Sequence, residues 1–225
     1  MEKYTLQNNE MITELYCTER TANSKDIMRS TFVACQHRMS GISAAPSFIN
    51  TVSQFVVSDI NLSSVIDFPH GLSDTSVRVH SILNSVRKGA KNIDIVINNS
   101  LVADKNWKSI EKDIKSCFVV CAQNNLSLRA VIEYRLFPIE IVLAVCDLLK
   151  SVGVDTIITS TSTMIDDAME NLEATMEITE RVGIPVILSS PMISSEFYEK
   201  CVSSNVFGVR FSSPNAVENV FGPVF

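Results

Sequence analysis

Glycine is scarce in this sequence, which has only seven glycines among 225 residues. An average protein contains ~7% glycine. Glycine-rich turns let a backbone approach a phosphate closely, so few loops of this chain suit that purpose. Long apolar runs are missing as well, because the longest clear one covers only residues 141–146, whereas a membrane-spanning helix needs ~18 residues. The sequence therefore gives no indication of a membrane partner.

Paired cysteines and clustered basic residues are also missing. Six cysteines occur without a C-x-x-C pair, and a core of this size needs no disulfide scaffold. This predicts a reducing compartment, the cytosol. The net charge is −6, with lysines and arginines scattered along the chain, so no nucleic-acid partner is expected. The three histidines lack zinc-ligand spacing, and we expect neither a metal nor a cofactor.

Short β-rich runs alternate with segments of helical spacing. The predicted strands lie near residues 11–16, 31–35, 63–68, 92–97, 128–133, 155–159, 185–189 and 207–211. Amphipathic helices are predicted between them, for example over 74–87 and 106–124. Gly89, Gly153 and Gly183 each follow a helical segment, where a left-handed cap is favoured. Eight apolar strands alternating with helices predict a single-domain (β/α)8 TIM barrel over residues 1–225.

The carboxyl ends of the strands are where such a barrel carries its functional groups. Five runs near these ends resemble the motifs of the deoxyribose-phosphate aldolase family. They are Val65-Ile66-Asp67-Phe68-Pro69-His70-Gly71 (family N-F-P-x-G), Ile93-Asp94-Ile95-Val96-Ile97-Asn98 (E-I-D-x-V-I-N), Val131-Ile132-Glu133 (V-I-x-E-T), Val154-Asp155-Thr156-Ile157-Ile158-Thr159-Ser160-Thr161-Ser162 (G-x-D-F-I-K-T-S-T-G) and Gly208-Val209-Arg210-Phe211-Ser212-Ser213 (F-G-x-S-S). The resemblance covers residues 62–213, and the order and spacing of the runs agree with the family.

The resemblance places Ile158 where the family carries its Schiff-base lysine, and Pro185 where it carries a second, pKa-tuning lysine. Isoleucine has no amine and cannot form the covalent imine. No lysine lies between Lys150 and Lys200, so the sixth and seventh strands offer no substitute. Asp94 aligns with the family's proton-transferring aspartate. We expect Asp94, Ile158 and Pro185 to point into the barrel mouth.

Other residues at the strand ends are candidates for a remnant pocket: His70, Thr159, Ser160, Ser212 and Ser213. Each has a structural alternative. His70 beside Pro-x-Gly is typical of a turn, Thr159 and Ser160 can hydrogen-bond within the barrel top, and Asp94 can be a buried structural acid. Ser212 and Ser213 would hold a phosphate ligand only weakly by themselves.

The favoured hypothesis is an aldolase-like pseudoenzyme that acts through binding, as a structural or regulatory protein-binding subunit. The family resemblance also implies self-association into a homo-oligomer. Two alternatives stay open. One is an active lyase that cleaves 2-deoxy-D-ribose 5-phosphate to glyceraldehyde 3-phosphate and acetaldehyde in deoxyribonucleotide catabolism, using a nucleophile at another position. The other is a sensor that binds a small molecule without converting it.

Overall fold

Eight parallel strands close into a barrel in the computed structural model, which describes residues 11–17 and 21–224. The strands are β1 (Ile12–Cys17), β2 (Gly41–Ala44), β3 (Asn61–Ile66), β4 (Asn92–Val96), β5 (Ser127–Val131), β6 (Thr156–Ile158), β7 (Val186–Ser190) and β8 (Gly208–Phe211). Each strand pairs with the next along the chain, and β8 pairs with β1 to close the sheet. The predicted barrel is confirmed, although the predicted domain also includes residues outside the described ranges.

Helices surround the barrel in the order that the alternating pattern predicts. They are α1 (Ser24–Gln36), α2 (Ile49–Ser53), α3 (Thr75–Arg87), α4 (Asn99–Ala103), α5 (Trp107–Gln123), α6 (Ile139–Val152), α7 (Ala168–Val182), α8 (Ser195–Ser203) and α9 (Pro214–Phe221), with a short 3-10 helix at Tyr134–Leu136. Among the described residues, none of these helices has the length and apolar character needed to cross a membrane.

The second strand was predicted in the wrong place. Residues 31–35 lie within α1, and the strand is β2, about ten residues later. The β-branched residues Thr31 and Val33 favour a strand locally, but they lie on the buried face of the helix. A capping box formed by Asn23 and Asp26 begins the helix and fixes its backbone conformation before that stretch. β2 has only four residues, which are too few to show an alternating strand pattern.

Two apolar regions hold the barrel together. Outward residues of the strands, such as Ile95, Ile157 and Leu188, belong to the large core that includes the buried faces of the helices. A smaller cluster lies inside the barrel and includes Val96 and Ile158. Because successive side chains of a strand point to opposite faces, the residue at every second position faces the barrel interior.

Two helix-capping glycines allow a direct test of local backbone strain. Gly153 and Gly183 end α6 and α7 in left-handed conformations, with φ of 109° and 67°. A Cβ at Gly153 would lie 2.7 Å from the Phe118 ring, whereas one at Gly183 would meet only the Lys150 Nζ at 3.4 Å.

We therefore expect Gly153→Ala to lower the free energy of unfolding by ~2–3 kcal/mol, and Gly183→Ala by ~1 kcal/mol. Both variants carry the backbone penalty of a left-handed residue, but only the first adds a ring clash. Urea denaturation followed by circular dichroism measures the difference. Equal losses of unfolding free energy in the two variants would contradict the predicted clash with the Phe118 ring.

Candidate functional site

A cluster of four charged side chains occupies the barrel interior. Glu14, Asp94, Arg129 and Arg210 come from β1, β4, β5 and β8 and are all buried. Arg129 donates to Asp94 at 2.7 Å and to Glu14 at 2.5 Å. Arg210 donates to Glu14 at 2.6 Å and to Asp94 at 2.8 Å. Each arginine therefore bridges both carboxylates, and the charges balance within the cluster.

Strand register explains why these residues meet. Glu14 pairs with Arg210 across β1 and β8, and Asp94 pairs with Arg129 across β4 and β5. Residues that pair in neighbouring strands point to the same face of the sheet. Two serine hydroxyls add further contacts, since Ser43 donates to Asp94 at 3.0 Å. The Ser63 hydroxyl oxygen accepts from Arg129 at 2.8 Å.

The arginines keep both carboxylates ionised. Burial by itself would raise the pKa of Asp94, but the Arg129 and Arg210 guanidinium groups outweigh it and hold this pKa below its usual value. The pKa of Glu14 is lowered by the same balance of burial against the two guanidinium groups. A carboxylate with a lowered pKa and fixed partners is a weak proton acceptor. Asp94 is therefore poorly suited to proton transfer in this arrangement.

An apolar layer adjoins the charged cluster toward the carboxyl ends of the strands. Tyr16, Val96 and Val131 each lie two residues beyond a member of the charged cluster. They pack with Ile158 and further side chains in the small apolar cluster inside the barrel. The Tyr16 ring lies against Arg210, with 5.2 Å between the guanidinium carbon and the ring centroid, a distance typical of a cation–π contact. This layer separates the four charges from the barrel mouth.

The structure brings Asp94 and Ile158 into the barrel interior but places Pro185 elsewhere. Pro185 is exposed and immediately precedes β7, where its carbonyl accepts from the Ile157 N–H at 3.0 Å. The expectation that it points into the mouth is wrong, because the mouth lies at the opposite end of the strand. Ile187 pairs with Ile158 and Ser189 with Arg210, so these are the inward residues of β7.

The predicted hydroxyl residues just after β6 are engaged in local hydrogen bonds. Thr159 accepts from the Ser189 backbone N–H at 3.1 Å. The Ser160 hydroxyl accepts from the Ser162 N–H at 2.8 Å, and the Ser162 and Ser189 hydroxyls lie 3.0 Å apart. These contacts join the loop after β6 to β7 and are the kind expected of hydroxyls that hydrogen-bond within the barrel top.

Ser212 and Ser213 line a cavity of about 170 Å³ above β1 and β8. Tyr16, Arg29 and Asn215 are among its other lining residues. Ser212 donates to the Pro191 carbonyl at 3.1 Å, and Ser213 caps α9 by accepting from the Ala216 N–H at 3.2 Å.

His70 is exposed on the loop after β3 and does not line the cavity that contains Ser212 and Ser213. The structure therefore does not assemble all five predicted pocket residues into one site.

Sequence reasoning missed Glu14, Arg129 and Arg210 as members of the charged cluster. The signal was available in the sequence, since each is a lone charged residue in a short, mostly apolar strand. Charged side chains are rarely buried unless they are paired. Finding the partners nevertheless required the register, because β1 and β8 lie at opposite ends of the chain.

A third buried acid, Glu133, joins the loop after β6 to the end of β5. It accepts from the Thr161 N–H at 3.1 Å, from the Thr161 hydroxyl, and from Ser160 at 3.4 Å. Burial raises the pKa of Glu133 despite these hydrogen bonds, which act in the opposite direction. Ionising Glu133 therefore costs more in the folded protein than in the unfolded chain.

Glu133→Gln is expected to become more stable relative to the unmodified protein as the pH rises. A raised folded pKa means that the stability contributed by Glu133 is present at low pH and is lost as the pH rises through that pKa. Glutamine keeps the acceptor oxygen and removes the charge. Urea midpoints of both proteins at about pH 4 and pH 7 test this, and a difference that stays constant or moves the other way would contradict it.

The chain matches known proteins over most of its length. Residues 16–206 match the family model described as DeoC/LacD family aldolase. A deoxyribose-phosphate aldolase of Desulfitobacterium hafniense is 30% identical over 141 residues, which span 62% of this chain and 65% of that enzyme. A deoxyribose-phosphate aldolase of Bacillus mycoides is 25% identical over 197 residues, covering 87% of this chain and 88% of the relative.

A solved structure agrees with the barrel seen here. The deoxyribose phosphate aldolase of Aeropyrum pernix, described as a unique tetramer, superposes with a TM-score of 0.81 at 17% identity. The superposition covers 91% of this chain and 87% of that one. Identity at this level supports the fold alone, whereas the family model covers most of the chain. The chain therefore belongs to the DeoC/LacD aldolase family.

Proposed function

We propose that this protein is a pseudoenzyme of its family that acts through protein binding, as a structural or regulatory subunit in the cytosol. The observation that carries the proposal is the composition of the barrel interior. Ile158 is fully buried in an apolar cluster, and the neighbouring inward residues of β7 are Ile187 and Ser189. None of these side chains can form an imine.

Lysines elsewhere in the described chain do not supply the missing amine. They are Lys25, Lys88, Lys91, Lys105, Lys108, Lys112, Lys115, Lys150 and Lys200. None of these described lysines is buried. A Schiff-base lysine must be partly neutral near pH 7, which requires a shift of ~3 units through burial or a neighbouring cation. Positions outside the barrel do not provide that environment.

The environment of Asp94 supports the same proposal independently. Family chemistry needs this position for proton transfer, yet both of its carboxylate oxygens are bound by guanidinium groups. The four charged side chains also occupy the space inside the barrel. We propose that they replace a reaction chamber with a closed, charge-balanced core.

Protein binding is supported by apolar side chains exposed at the mouth. Ile165 is 91% exposed, Met192 76% and Leu72 60%, and they lie on loops after β6, β7 and β3. Ile165 and Met192 follow the neighbouring strands β6 and β7, and exposed apolar residues on adjacent loops favour contact with another protein. The tetrameric Aeropyrum pernix relative supports the proposal that one partner is a second copy of the chain.

A small-molecule sensor is the second candidate, and the cavity lined by Ser212 and Ser213 favours it. Its size, about 170 Å³, admits a group as large as a phosphate, and it lies beside the N-terminal end of α9, where anions are stabilised. We propose inorganic phosphate or a sugar phosphate as its weak ligand. A rise in melting temperature with millimolar phosphate would support the sensor.

Borohydride trapping separates the pseudoenzyme from an active lyase. The protein is incubated with 2-deoxyribose 5-phosphate and sodium borohydride, and its mass is measured with the Desulfitobacterium hafniense enzyme as the positive control. We expect no adduct and no acetaldehyde release. An adduct on any lysine would overturn the proposal, as would acetaldehyde release above that of a mock purification.

A further inference from the structure

Two neighbouring faces of the barrel exterior carry opposite charge. The basic face is formed by Arg87 and Leu83 of α3 with Lys108, Lys112, Lys115 and Val119 of α5. The acidic face is formed by Glu140 and Asp147 of α6 with Met169, Glu173, Met176 and Glu180 of α7. Side-chain exposure places these charges and apolar groups at the surface.

Helical spacing aligns the members of each face. On α5, Lys108, Lys112, Lys115 and Val119 follow at intervals of four, three and four residues, so they share one side of the helix. The acidic residues and methionines of α7 follow the same intervals. α3 packs against α5, and α6 packs against α7. Each charged face therefore extends from one helix onto its neighbour.

The charges on both faces are available to a partner. Among the described residues, Lys112, Lys115, Glu173 and Glu180 take part in no salt bridge. Glu111 adjoins the basic face and Lys150 adjoins the acidic one, and each carries a charge opposite to that of its neighbouring face.

Acidic residues next to the acidic face are already neutralised within the chain. Glu170 pairs with Arg135, and Glu177 pairs with Arg181. The remaining unpaired charges give each face its sign.

Apolar side chains are interspersed with the charges on both faces. Val119 is 45% exposed and Leu83 38%, and on the other face Met176 is 47% exposed and Met169 38%. Apolar groups surrounded by polar ones are typical of protein interfaces. Opposite charges on such faces favour one orientation of docking and disfavour the contact of like faces.

We propose that the basic face of one copy docks on the acidic face of a second copy. This is a heterologous contact, because different surfaces meet, and such contacts continue into a ring or a filament. The two faces lie two β/α units apart, about a quarter turn around an eight-unit barrel. A quarter turn is the angle that closes a ring of four.

The proposal builds on the protein-binding role above, but the two fail separately. Imine trapping would overturn the pseudoenzyme and leave the contact untouched, whereas a monomeric protein would overturn self-association through this contact and leave the loss of imine chemistry untouched.

Reversing the charge along α5 or along α7, the central helix of each face, tests the contact. One variant carries Lys112→Glu and Lys115→Glu, and the other carries Glu173→Lys and Glu180→Lys. The unmodified protein is expected to exceed the mass of a dimer at high concentration in sedimentation velocity at ~0.05 M salt, and to dissociate at ~0.5 M salt as the charges are screened. Each variant alone should associate at least ~tenfold more weakly.

Mixing the two variants is the decisive measurement. Along α5 and α7 each variant alone carries a net charge of one sign on both helices, but the mixture again offers an acidic helix to a basic one. Association should therefore return in the mixture, and also in a single chain that carries all four substitutions.

Matched controls carry the same changes in net charge on other surfaces: Lys25→Glu with Lys200→Glu, and Glu196→Lys with Glu199→Lys. They should associate as the unmodified protein does. A monomeric unmodified protein would overturn the proposal, as would a dimer that grows no further or a mixture that fails to restore association.

Discussion

Arg129→Met is expected to lower the free energy of unfolding by ~3–5 kcal/mol at pH 7, because it leaves two buried carboxylates with a single guanidinium partner. Glu14 and Asp94 are almost inaccessible to solvent, so water cannot replace the lost charge. Methionine retains most of the side-chain volume. The loss therefore reports on electrostatics more than on packing.

The pH dependence of this loss has a definite sign. In the unmodified protein the pKa values of Glu14 and Asp94 are lowered, so their contribution is present at neutral pH and is lost as the pH falls through the folded pKa. Without Arg129 the buried carboxylates are easier to protonate. The stability gap between the two proteins should therefore be larger at pH 7 than at about pH 4.

Two further variants serve as controls for Arg129→Met. Arg29→Met removes an ion pair to Glu218 in which the arginine is half exposed, and it should cost less than ~1 kcal/mol. Adding Asp94→Asn to Arg129→Met removes one of the stranded charges and should recover part of the loss. A loss of unfolding free energy in Arg129→Met no larger than that in Arg29→Met would show that the charged cluster contributes little to stability.

Ile158→Lys is expected to cost ~4–5 kcal/mol at pH 7, since burial in the apolar cluster disfavours the charged amine and can lower its pKa by ~3–5 units. The sign follows from the lowered pKa: the cost is full below the folded pKa, remains large at neutral pH, and shrinks as the pH approaches the pKa of a free lysine. Ile158→Met, which is uncharged and of similar size, should cost less than ~1.5 kcal/mol. Urea denaturation at pH 7 and at about pH 9.5 measures both variants.

The same variant tests whether an amine at this position can react. A neutral buried lysine is nucleophilic, so we expect borohydride to trap an imine with a small aldehyde in Ile158→Lys and not in Ile158→Met. Turnover should stay negligible, because Asp94 is still held by two arginines. Adding Pro185→Lys should change nothing, since that residue is exposed before β7. Efficient aldol cleavage by Ile158→Lys would contradict the inference that the two arginines make Asp94 unsuited to proton transfer.

Local pattern determined most of the architecture. The alternation of apolar strands with amphipathic helices is encoded in short windows, so the barrel and most of its strands could be read before any tertiary contact was known. The second strand could not, because β-branched residues also fit the buried face of α1 and the four residues of β2 lack a pattern. There the helix cap and tertiary packing outweighed strand propensity.

The chemistry of the interior was decided only by the tertiary structure. Sequence motifs placed Asp94, Ile158 and Pro185 at the mouth, but Asp94 lies below the apolar layer and Pro185 before β7, because a motif gives order without strand position. Arg210 and Glu14 are separated by 196 residues along the chain and meet because β8 pairs with β1. Barrel closure sets that register, and only the register determines which buried charges neutralise one another.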